Sequence, residues 1–197
     1  MDQFSRQLLE PIKVLVLDDN RHMINLVTQI LYALGCKNVV PALDGADAFQ
    51  QMKREHLDVA IVDYNMSPIN GVEFTKLVRT AKDSPNPYIP IVMLTGRTDT
   101  ESVRLARDAG ATEFLAKPVS VLSICQRLIE VIERPRPFIR TKSFFGPDRR
   151  RHVNPKYRGP FRRKDDAPNG QRNQDPGDPD QSAIDALFAD TPQAERQ

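Results

Sequence analysis

Cysteine is nearly absent from this chain of 197 residues, which has only Cys36 and Cys125. Two lone thiols without metal-ligand spacing exclude a disulfide framework and a thiolate metal site. Both are expected to be small buried hydrophobes, set in apolar helical patterns, in a reducing compartment. Long apolar runs are also missing. None approaches the roughly 18 residues that span a bilayer, and the opening MDQFSRQLLEP has no signal-peptide core. No membrane insertion and a cytoplasmic location are therefore expected. Core-forming residues thin out after Glu133, where nine of the 16 prolines lie. A stretch of this composition cannot offset its ordering entropy. Without a repeated apolar helical pattern between 134 and 180, it excludes a winged helix or other folded DNA-binding effector.

The charge is unevenly spread. Residues 1–133 carry 14 Lys/Arg and 17 Asp/Glu, residues 134–164 carry 12 basic and one acidic, and residues 165–197 carry two basic and eight acidic. The overall net charge of +2 therefore conceals a strongly basic block beside an acidic one. Three segments are expected: a compact domain over 11–133, a basic Pro/Arg-rich docking tail over 134–164, and an acidic disordered tail over 165–197. Within the last, Ile184, Leu187 and Phe188 share one helical face, so a short helix over 182–189 could fold on a partner.

The compact part alternates strand and helix. IKVLVLDD reads as a strand. Asn20 then caps a helix carrying Met23, Val27, Ile30, Leu31 and Leu34 at helical spacing, which Gly35 stops. NVVPAL is a second strand and DGADAFQQMKRE a short helix. DVAIVD is a third strand, followed by a helix over 71–79, and YIPIVMLT a fourth. DTESVRLARDAG is a helix closed by Gly110, EFLA a fifth strand, and VLSICQRLIEVIE a final amphipathic helix. Five such alternations in about 125 residues favour an α/β fold. The expected form is a doubly wound parallel sheet of flavodoxin-like (βα)5 type, strand order 2-1-3-4-5.

Ligands of such sheets sit at the carboxyl ends of the strands. The groups there are Asp18 and Asp19, Asp63, Thr95 and Lys117. Singly, each has a bland reading as a helix cap, a strand residue or a solvated charge. Together they describe a site. Three carboxylates on one rim repel unless a cation neutralises them, and a hard divalent ion such as Mg²⁺ takes oxygen ligands. Lys117 suits phosphate oxygens as a point charge, and Thr95 as a hydroxyl donor. No Ser, Cys or His nucleophile stands at these strand ends, so a carboxylate is the natural phosphoryl acceptor. His22, in the first turn of its helix, reads as a solvated surface residue.

The motifs LDDN, VDYNMSPING, LTG and FLAKP occur in this order, and the region from residue 11 to about 133 resembles the receiver domain of two-component response regulators. The resemblance implies that Asp63 accepts phosphate from a sensor histidine kinase or phosphotransfer protein. It implies Mg²⁺ ligation by Asp19, Asp63 and the backbone carbonyl of Asn65, with Asp18 acting mainly through water. Lys117 would pair with carboxylate and phosphate, and Pro118 would follow a cis peptide bond. Thr95 and Phe114 would be the switch residues, and the fourth helix, fifth strand and fifth helix would report the state. On this reading the domain is no enzyme beyond its own phosphorylation and dephosphorylation.

The family pattern has Met-Pro after the acceptor loop. Here Ser67 follows Met66 and the proline comes one residue later, at Pro68, which implies altered loop geometry with the chemistry retained. KDSPNPYIP implies a distinctive surface loop. An Asp-nucleophile phosphatase of the haloacid dehalogenase type is disfavoured, because LDDN lacks that family's Asp-x-Asp spacing. Beyond the domain, FGPDRRR and RGPFRRK carry Arg149, Arg150, Arg151, Arg162 and Arg163, each group following a turn-forming Gly-Pro pair. FGPDRRR resembles tails of some stand-alone bacterial response regulators. The segment reads as an arm docking on a downstream protein target or on the acidic domain, with nucleic acid as the alternative partner.

Overall fold

The computed structural model describes residues 3–96, 100–141 and 144–148. In chain order the elements are α1 (Gln3–Leu9), β1 (Lys13–Leu17), α2 (Arg21–Ala33), β2 (Asn38–Ala42), α3 (Gly45–Arg54), β3 (Val59–Asp63) and α4 (Gly71–Thr80). They continue with β4 (Ile91–Thr95), α5 (Thr100–Ala109), β5 (Glu113–Ala116), α6 (Val121–Glu133), β6 (Phe138–Arg140) and β7 (Phe145–Pro147). Strands β1 to β5 form one parallel sheet in the order β2-β1-β3-β4-β5, the expected flavodoxin-like arrangement. Both faces of the sheet are covered, so the central strands read as near-continuous apolar runs: every residue of β3 and of β4 is buried.

One core cluster lies under α1, α2 and α6, with Val27, Leu31, Ile124 and Leu128 against Val14 and Val16. The other lies under α3, α4 and α5, with Phe49, Phe74, Val78 and Ala106 against Leu15, Leu17 and Ile91. The helix ends follow the expected signals. Asn20 accepts from the His22 amide, and the helix it starts stops at Gly35, whose φ of 93° is the left-handed value glycine tolerates. Asn70 and Glu73 form a capping box on α4. Cys36 and Cys125 are both buried thiols; Cys36 lies in the turn after α2, outside the helix expected for it. Among the described residues no helix is long and apolar enough to cross a membrane.

Three elements, α1, β6 and β7, lie outside the expected domain boundaries. Helix α1 precedes residue 11, and its Leu8 and Leu9 join the core beside α6. After Glu133 the chain does not leave the domain: β6 and β7 pair antiparallel and pack onto it. Phe138 and Phe145 stack edge-on with Tyr88 at centroid distances of 5.2 and 5.1 Å. Tyr88 comes from the KDSPNPYIP loop, which thus supplies a seat for the hairpin. Beneath it lies Arg79, buried to 4% exposure, which donates to the carbonyls of Pro87, Ile89 and Gly110 and faces the Phe138 ring at 5.0 Å. Burial pushes this guanidinium down to about 9, which still leaves it charged at neutral pH. Buried Glu113, at the start of β5, pairs with Arg136 and, at 3.6 Å, with Arg127. Residues 134–148 are poor in aliphatic residues, but aromatic and ionic contacts through Phe138, Phe145 and Arg136 hold this segment's described part to the domain.

Candidate functional site

The site follows from the sheet register. Asp18 and Asp19 directly follow β1, Asp63 ends β3, Thr95 ends β4 and Lys117 directly follows β5, so all five reach the same rim. Oxygens of Asp18, Asp19 and Asp63 lie within 4.8 Å of one another. Asp18 and Asp63 are buried, at 1% and 5% exposure, whereas Asp19 faces solvent. Lys117 Nζ bridges the buried pair, 2.8 Å from Asp63 Oδ1 and 3.2 Å from Asp18 Oδ2. Asp18 Oδ1 accepts from the Asn20 amide at 2.8 Å, and Asp19 Oδ2 accepts from the Ser67 amide at 3.1 Å.

The electrostatics match the crowding. Burial pushes the Asp63 carboxyl above its usual range; the Lys117 hydrogen bond and charge partly offset that, and the Asp18 charge adds to it. For Lys117, burial disfavours the ammonium, but the hydrogen bonds and charges of Asp63 and Asp18 outweigh it and hold the group above its ordinary value. Three carboxylates against one ammonium leave the rim negative, with an open side at Asp19. A cluster of hard oxygen donors with one solvent-facing member suits a hard divalent cation with retained waters.

Local sequence explains the placement. Gly71 opens α4 beneath Asp63, and a Cβ there would lie 2.2 Å from the Asp63 carbonyl oxygen and 2.8 Å from Met93 Sδ. Only glycine lets α4 start this close to the end of β3. The Lys117–Pro118 peptide bond is cis, and so is Ser67–Pro68, within the loop whose proline is displaced. The Lys117 amide donates to the Thr95 carbonyl at 2.8 Å, joining the ends of β4 and β5. Thr95 is buried, Phe114 is half-buried against the second core cluster, Asn65 is exposed in the loop after β3, and His22 is exposed. A cavity of about 300 Å³ lined by Met52, His56, Pro85 and Ile89 lies at the opposite rim, before β3 and β4. Arg149, Arg150, Arg151, Arg162, Arg163 and the segment 182–189 lie outside the described residues.

The family model described as the response regulator receiver domain matches residues 14–129. The chain belongs to this family. The receiver is 29% identical over 122 residues to chemotaxis protein CheY-3 of Vibrio cholerae, spanning 62% of this chain and 92% of that protein. It is 34% identical to the solved chemotaxis protein CheY4 of the same species, covering 61% of this chain and 98% of that one, with a TM-score of 0.57. The receiver domain of sensor histidine kinase PA1611 from Pseudomonas aeruginosa shares the fold at 24% identity and a TM-score of 0.53, covering 60% of this chain and 94% of that one; that structure has a magnesium ion coordinated in its active site cleft. The protein is thus a receiver domain of CheY type carrying a C-terminal extension. The Ser67 amide contact was not anticipated from sequence, since a backbone donor leaves no residue-type signal. The displaced proline was its only trace.

Proposed function

We propose that this receiver is a phosphorylation-dependent switch that takes a phosphoryl group on Asp63 from a phosphohistidine of a sensor histidine kinase or phosphotransfer protein. The observation that carries this reading is the Lys117 bridge between Asp63 and Asp18 inside a cluster of three carboxylates. Asp63 Oδ attacks phosphorus in line, the P–N bond to the donor histidine breaks, and an acyl phosphate forms. Asp19, Asp63 and the Asn65 carbonyl would hold Mg²⁺, with Asp18, whose oxygens already accept from Asn20 and Lys117, acting through water. When bound, the ion neutralises charge on the transferred group.

Lys117 then follows the phosphoryl oxygens, and the Thr95 hydroxyl donates to them. Phe114 repacks with that movement, so the face of α5, β5 and α6 reads out the state. The domain catalyses only its own phosphorylation and dephosphorylation, and output is contact with a protein target. The basic segment beyond residue 148 extends that contact. A nucleic-acid output would instead show steep salt dependence.

Intact-mass spectrometry after incubation with acetyl phosphate and Mg²⁺ tests the acceptor. Wild type gains one phosphoryl group only with Mg²⁺, and Asp63→Asn gains none. Phosphate found on the Asp63→Asn variant sinks the assignment.

A further inference from the structure

We infer that the backbone N–H of Ser67 is a positioning group for Asp19, holding the one exposed carboxylate of the acidic cluster in the orientation that receives a divalent cation. The inference rests on the metal-site reading above. Asp18 and Asp63 are walled in by the core and tied to Lys117. Asp19 has no such enclosure. Its Oδ2 accepts from the Ser67 amide at 3.1 Å, a contact between residues 48 apart in the chain. Its other oxygen meets no donor among the described residues and is left for the open side of the cluster.

The donor is itself held. Met66, just before it, is buried in the core. Ile69, just after the cis Ser67–Pro68 bond, lies so close over Gly45 that a Cβ at Gly45 would stand 2.5 Å from Ile69 Cδ1. Asn70 is locked by the capping box of α4, and the Gly71 amide returns to the Tyr64 carbonyl at 3.0 Å. Residues 64–71 therefore form a platform pinned at both ends, and the Ser67 amide points from it to Asp19. A proline at position 67 would have no N–H to offer. The displacement of the proline to position 68 leaves this donor in place. A carboxylate already oriented by an amide loses less freedom when it takes a cation, so the amide tightens binding.

Isothermal titration of the full chain with Mg²⁺ tests this. Ser67→Pro removes the N–H and raises the Mg²⁺ Kd about tenfold, whereas Ser67→Ala keeps the N–H and the wild-type Kd. In an Asp19→Ala background, Ser67→Pro adds no further loss, because the group it positions is gone. Wild-type affinity in Ser67→Pro overturns the proposal. So does equal weakening by Ser67→Ala, or an undiminished effect of Ser67→Pro without Asp19. If wild type itself takes no Mg²⁺, the metal-site reading falls and this proposal with it, which separates the two failures. Should Ser67→Pro not fold, amide hydrogen exchange decides. The Ser67 N–H exchanges about tenfold more slowly in wild type than in Asp19→Ala, and equal rates overturn the proposal.

Discussion

Replacing Arg79 by methionine should unfold the link between the receiver and its C-terminal hairpin. Methionine keeps most of the aliphatic stem but removes four hydrogen bonds: Nε to Gly110 O at 3.1 Å, Nη1 to Pro87 O at 2.7 Å, and Nη2 to Ile89 O at 2.8 Å and Gly110 O at 3.0 Å. Three carbonyls lose a charged donor, each at about 1–2 kcal/mol, and the Phe138 ring loses its cation at about 0.5–1 kcal/mol. Release of a desolvated guanidinium offsets part of this, since burial alone pulls it down to about 9. A net loss of about 3 kcal/mol remains, lowering Tm by about 10 °C for a domain of this size. Urea unfolding followed by far-UV circular dichroism on the full chain measures it. Arg79→Lys should recover little, because one ammonium cannot reach three carbonyls in a fork. A loss under about 1 kcal/mol for Arg79→Met would refute the view that this residue ties the loop before β4, the turn before β5 and the hairpin together.

Gly71→Ala should lose about 3 kcal/mol and most phosphate uptake, because its methyl would lie 2.2 Å from the Asp63 carbonyl oxygen; wild-type melting and labelling would contradict the packing argument. Lys117→Ala should stay folded and lose the phosphorylation-linked shift of amide resonances along α5, β5 and α6, read by NMR. A wild-type shift would count against the Lys117 role.

How much was legible in the sequence differs by element. The five strands and the helices joining them were readable because the apolar period, Asn20 as a cap and Gly35 and Gly110 as stops all agreed. Asp18, Asp19, Asp63, Thr95 and Lys117 were readable as a group because a parallel sheet brings its strand ends to one rim. Helix α1 was not. Seven residues carry too short a period, and its place depends on Leu8 and Leu9 meeting α6. The hairpin was hidden for another reason. Composition averaged over the tail is coreless, yet Phe138 and Phe145 find Tyr88 far back in the chain and Arg136 finds Glu113. A chain ended at Glu133 would expose that seat, so a comparison meant to isolate the arm should keep everything through Asp148.

The central claim is that the acyl phosphate forms on Asp63, and locating it chemically tests that most directly. Borohydride reduces an aspartyl phosphate to homoserine without touching free carboxylates. Peptide mapping by mass spectrometry after phosphorylation with acetyl phosphate and Mg²⁺ should therefore find homoserine at position 63 alone. Homoserine at position 18 or 19, or phosphate retained on His22, would contradict the account.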